Sequence, residues 1–90
     1  MSLIIAIDYD FTFTADVVLF TEFIFSAQKA GHTVVCVTSR YRPPESPEPF
    51  LPAGVEIICA RGLSKEDAAR SAGYKVDIWI DDMPRTITES

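Results

Sequence analysis

The residues of this chain that could do chemistry fall into four short groups: Asp8-Tyr9-Asp10-Phe11-Thr12, Thr38-Ser39-Arg40, Lys65, and Asp81-Asp82. Each follows an apolar, β-branched run or the loop just after one. In an open parallel sheet the carboxyl ends of the strands form one edge, and ligands bind along it. Carboxylates, hydroxyls and an ammonium gathered at that edge could hold a divalent cation and a phosphate group. Residues i and i+2 of an extended segment point the same way, which predicts Asp8 and Asp10 at one mouth. Adjacent carboxylates repel unless a cation is present or one of them holds a proton. Asp81 and Asp82 add to that excess. Mg²⁺ suits oxygen ligands of this kind and keeps positions open for water and phosphate. Taken singly, an Asp-x-Asp after a strand is also a turn signal, and Asp81-Asp82 could be a solvated loop. The ordered set, with Thr38 and Lys65 between, is what points to a site.

Placing these groups on one edge requires a particular arrangement of elements. Residues 3–9, apolar but for Asp8, read as a strand buried on both faces. Thr12, Thr14 and Asp16 suit a turn and a helix start, and Val17, Phe20, Ile24 and Ala27 recur at helical spacing as far as about residue 30. Gly31 stops that helix. Val18, Leu19, Phe23 and Phe25 widen its apolar stripe, through a broad core-facing side or a homodimer contact on this helix. Residues 33–37 are a second strand. Residues 40–54 hold five of the six prolines and read as an irregular crossover, with one helical turn expected at 48–51. A third strand at 55–59 leads to a helix from Lys65 to about residue 72, capped by Ser64 and ended by Gly73. A fourth strand occupies 76–80, and a short helical turn can follow Pro84. Strand-helix alternation gives an α/β domain with a four-strand parallel sheet. The expected order is 3-2-1-4, with the binding crevice where the chain reverses direction beside the first strand.

The same residues resemble the haloacid dehalogenase-like hydrolase superfamily, most members of which act on phosphates. Asp8, Asp10 and Thr12 match its DxDxT motif, and Thr38 its strand-ending Thr or Ser. Lys65 matches its helix-start Lys, and Asp81 and Asp82 its terminal acidic pair. The resemblance implies a three-layer, Rossmann-like fold without a cap domain, and Mg²⁺-dependent hydrolysis of a phosphomonoester. Asp8 would be the nucleophile, forming an aspartyl-phosphate, and Asp10 the acid and then the base. Mg²⁺ would bind Asp8, the backbone carbonyl of Asp10 and the Asp81 carboxylate of the last motif, with Asp82 ligating through water or orienting Lys65. Thr38 and Lys65 would hold phosphoryl oxygens, with Thr12, Ser39 and Arg40 beside them. The residues alone do not say which Asp attacks. Phe11 stands where the family motif often has Gly, so the turn after Asp10 is expected to be tighter or differently aimed. An open, capless site implies a substrate carried on a macromolecule or an unselective small phosphatase.

Other residues carry less. Lys75 lies nearer the terminal acids but precedes the fourth strand, which puts it at the opposite edge. Arg40 and Arg42 could contact a substrate anion or pair with Glu45 or Glu48. His32, Tyr74 and Trp79 read as structural, and Asp16 as a helix start. Ninety residues make a single domain, 1–90. A net charge of −5 argues against general nucleic-acid binding, though a bound metal can reverse the local sign for a phosphorylated substrate. No run approaches the roughly 20 apolar residues of a membrane span. The absence of a basic start and cleavage site, with Cys36 and Cys59 read as buried free thiols, suggests a cytoplasmic protein. Two other functions fit less of the pattern. One is a phosphate- or metal-binding module without turnover. The other is a signalling receiver domain, which should carry an Asp at the end of the third strand, where this chain has Cys59-Ala60-Arg61.

Overall fold

Four apolar runs become four strands: β1 (Ile4–Ile7), β2 (Thr33–Thr38), β3 (Glu56–Cys59) and β4 (Ile78–Ile80). The computed structural model describes all 90 residues. The sheet is parallel throughout, in the order β3-β2-β1-β4 expected from the sequence. Ile7 sits opposite Cys36 on one side and Ile80 on the other, so β1 and β2 occupy the centre.

Alternation along the strands builds two cores, one on each face. Ile5, Ile7, Val34 and Cys36 face α1 (Val17–Lys29), where Ile24 and Ala27 are buried and Val17, Phe20 and Phe23 pack alongside. Ala6, Val35, Val37 and Ile58 face α2 (Lys65–Ser71) and its buried Ala68 and Ala69. Two alanines in succession let α2 approach the sheet closely. A last short helix, α3 (Arg85–Thr88), follows Pro84. No helix is long and apolar enough to cross a membrane. On α1, Phe23 joins the core while Val18, Leu19 and Phe25 remain exposed.

Side-chain caps set the starts of α1 and α2. Asp16 accepts from the Leu19 N–H at 3.0 Å, and Ser64 from the Asp67 N–H at 3.1 Å. Each thereby satisfies one of the donors a helix leaves unpaired in its first turn. Gly31 and Gly73, at φ +91° and +93°, follow the last helical turns in the left-handed conformation that glycine adopts without a Cβ penalty.

Several boundaries differ from the sequence reading. β1 ends at Ile7 rather than residue 9, because the Asp8 and Tyr9 carbonyls accept from the Phe13 and Thr14 N–H groups and curl the chain into a 3₁₀ turn at Phe13–Ala15. β4 begins at Ile78 rather than residue 76. The Ile4 N–H, which a preceding strand carbonyl would take, goes instead to the Asp77 carboxylate at 2.8 Å. The helical turn expected at 48–51 is absent: Pro49 and Pro52 cannot donate to a helical ladder. The segment turns earlier, where the Glu48 N–H meets the Glu45 carbonyl at 2.9 Å. Leu51 packs on the α1-side core and anchors this crossover.

Both cysteines are free, but only Cys36 is buried; Cys59, on the edge strand β3, is half-buried. Burial pushes the Cys36 thiol up to about 12. A Cys59→Ser variant, with Cys36 its sole thiol, is expected to be silent to Ellman's reagent at pH 8. One equivalent should react on unfolding, and rapid reaction in native buffer would contradict this packing.

Candidate functional site

The carboxyl edge of the sheet gathers the acids. Asp8 continues β1 by one residue, its N–H still donating to the Ile80 carbonyl at 2.9 Å. Asp81 and Asp82 follow β4 directly, so adjacent parallel strands deliver all three side chains to one place. One carboxylate oxygen from each lies within 4.8 Å of the other two. Lys65, the first residue of α2, reaches across from the far face and is only 3% exposed. Its Nζ donates to Asp8 Oδ1 at 3.0 Å and to Asp81 Oδ2 at 2.7 Å. Lys75 lines a separate cleft with Arg70, Tyr74 and Trp79, away from these acids. Lys65 is therefore the lysine of this cluster.

Thr12 links the two acidic groups. Its hydroxyl accepts from the Asp82 N–H at 3.2 Å and lies 3.0 Å from Asp82 Oδ1 and 3.2 Å from Asp8 Oδ2. A hydroxyl has one proton, so it donates to one of those carboxylates at a time. One ammonium against three clustered carboxylates leaves an excess of negative charge. Burial pushes the Asp8 carboxyl up to about 6; hydrogen bonding with Asp82 acts the same way, and Lys65 opposes both. The hydrogen bond from Asp8 in turn holds Asp82 below the usual carboxylate range. Burial works against the charge on Lys65, but its bonds to Asp81 and Asp8 outweigh that and raise its pKa. Asp8, Asp81 and Asp82 are the residues that could hold such an ion.

Asp10 shares the concavity with Asp8, as expected, but reaches it by a different path. The premise of an extended segment fails at Tyr9, where the chain turns, and the Asp10 carboxylate lies outside the three-acid group. Arg40 holds it from two nitrogens, Nε to Oδ2 and Nη2 to Oδ1, both at 2.8 Å. The same guanidinium grips Glu48 at 2.9 and 2.6 Å and lies 5.1 Å over the Tyr9 ring. Bonds to Asp10 and then Glu48 raise the Arg40 pKa further. Of the two readings open for Arg40, a substrate anion or a pair with Glu45 or Glu48, the structure has the pair with Glu48, and adds Asp10. The Tyr9 hydroxyl donates to the Pro49 carbonyl at 2.6 Å, tying the proline-rich crossover to the same corner.

Asp8, Asp10, Thr38, Ser39, Lys65 and Asp82 all line one open concavity of about 180 Å³. Thr38 is buried there, its Oγ1 accepting from the Arg40 N–H at 3.2 Å. Phe11, Met83 and Thr86 complete the lining. The last two were missed from the sequence: Met83 adjoins the acidic pair, while Thr86 carries no signal. Asp16 serves as a cap, and the His32 Nδ1 accepts from the Leu3 N–H at 3.0 Å, so both are structural. Compared with protein families, curated proteins and solved structures, the chain matches none of them.

The raised Asp8 pKa has a definite sign in stability. The folded protein holds this proton more tightly than the unfolded chain, so the contribution is full below pH 4 and is lost as pH rises through about 6. Asp8→Asn mimics the protonated form. Without divalent ions it is expected to raise the melting temperature at pH 7.5 relative to wild type, with little difference near pH 4. A lower melting temperature at pH 7.5 would refute the charge excess. Lys65→Met, which leaves buried acids without their counter-ion, is expected to cost about 3–5 kcal/mol by urea unfolding at pH 7.5.

Proposed function

We propose that the chain is a Mg²⁺-dependent phosphomonoester phosphatase of the haloacid dehalogenase-like type, with the Rossmann-like layering and absent cap of that reading. The observation that carries it is the Asp8–Asp81–Asp82 group at the carboxyl edge, with a buried lysine among the carboxylates. Thr38 and Ser39 open onto the same concavity. Asp8, Asp81 and Asp82 would hold the Mg²⁺; when bound it supplies charge neutralisation and polarises the phosphoryl group. The two free thiols fit a reducing, cytoplasmic setting.

In this proposal a carboxylate oxygen of Asp8 attacks phosphorus, and the bond from phosphorus to the ester oxygen breaks. Asp10 delivers its proton to that leaving oxygen. It then takes a proton from the water that attacks the aspartyl-phosphate, releasing phosphate and restoring Asp8. Lys65 and the Thr38 hydroxyl donate to phosphoryl oxygens as charge builds on them. Asp10 must turn from Arg40 to reach the ester. Glu48 makes that feasible, because Arg40 keeps a partner when Asp10 leaves.

A panel of phosphomonoesters assayed with Mg²⁺, and again with EDTA, tests the activity. Turnover should require Mg²⁺ and fall at least about 10³-fold in Asp8→Asn, the loss expected when a nucleophile is removed. Wild-type rates in that variant would end the proposal. The engagement of both Asp10 oxygens by Arg40 favours one second reading, a binding module without turnover. Its signature would be a rise in melting temperature with phosphate plus Mg²⁺ and no hydrolysis of any ester.

A further inference from the structure

We infer that Phe11 and Met83 form an apolar clamp for the ring of an aryl phosphomonoester, a substrate class that rests on the phosphoester-binding reading above. Phe11 is 80% exposed. It also holds φ +62°, a left-handed conformation that bulky L-residues rarely adopt. An exposed side chain recovers little of that strain through packing, so folding gives no reason for an aromatic residue here. The turn itself is held by other groups, with the Phe11 N–H donating to Thr14 Oγ1 at 3.0 Å. Strained positions of this kind concentrate at functional sites.

Position supplies the function. Met83, 51% exposed, enters the same concavity from the loop after β4, its N–H held by Asp81 Oδ1 at 2.9 Å. Phe11 and Met83 are the apolar side chains in a lining that otherwise consists of Asp, Thr, Ser and Lys. At about 180 Å³ the space is smaller than the roughly 300–1,000 Å³ of pockets that engulf whole ligands. It suits a phosphoryl group and the atoms next to it. A ring there gains stacking on Phe11 and a thioether contact with Met83. The acids around the site disfavour a leaving group with further negative charge.

Titration calorimetry of the Mg²⁺-loaded protein with phenylphosphonate and methylphosphonate tests the clamp without requiring turnover. Wild type should bind the phenyl compound about tenfold tighter, the scale of one modest apolar contact. In Phe11→Gly, whose backbone suits positive φ, the ratio should fall to about threefold or less while the melting temperature does not drop. Met83→Ser should lower the ratio in the same direction. Equal affinities in wild type, or an undiminished ratio in Phe11→Gly, would overturn the clamp. Hydrolysis of phenyl phosphate and glycerol phosphate is measured in parallel. Turnover without a ring preference removes the clamp and leaves the phosphatase. A phosphonate ratio without turnover removes the phosphatase and leaves the clamp. No binding of either phosphonate together with no turnover removes both. Phosphotyrosine, free and in a peptide, distinguishes a small-molecule ring from a protein-borne one, and preference for either over methylphosphonate supports the clamp.

Discussion

The ammonium of Lys65 is the charge that Asp8 and Asp81 share, and the architecture can be read as the means of holding it there. Burying a cation is unfavourable unless acceptors meet it, and burying carboxylates is unfavourable without a cation. Each therefore requires the other, and they come from three separate elements. Parallel pairing of β1 with β4 puts Asp8 beside Asp81. Ser64 fixes where α2 begins, and Ala68 and Ala69 let it lie close to the sheet. A bulkier residue at either alanine would lift α2 and draw the lysine from its partners.

Much of this was legible in the chain because the strands announce themselves by apolar runs and the helices by caps. The sheet order followed from alternation, and the choice of Lys65 over Lys75 followed from strand direction alone. Asp8, Lys65, Asp81 and Asp82 were found because each adjoins an element whose end could be located. Asp10 reaches the same concavity as Asp8, as expected, but not by strand alternation. Two carbonyls after Ile7 were captured by N–H groups in the next turn, so the alternation rule no longer applied. The start of β4 moved because a side-chain acceptor, Asp77, replaced a backbone one. Hydrogen bonds between residues distant in sequence, such as Arg40 to Asp10 and Tyr9 to Pro49, have no periodic signature and could not be read in advance.

Those long-range bonds give the proline-rich crossover a part in the site. Arg40 joins Asp10 to Glu48 while stacking over Tyr9, and the Tyr9 hydroxyl reaches Pro49. Asp8, Asp81 and Asp82 are thus set directly after strands, whereas the orientation of Asp10 depends on a loop. The firm part of the site suits holding a cation and an anion.

The outermost strand carries one more implication. β4 has three residues and no neighbour on its outer side, and Ile78 on it is largely exposed. Free strand edges invite extension by other chains and, in time, aggregation. Here Asp77 stands at one end and Asp82 at the other, both exposed. A second copy laid antiparallel along this edge would bring like charges together at both ends. The acids that bracket β4 thus oppose extension of the sheet by a second copy through charge repulsion.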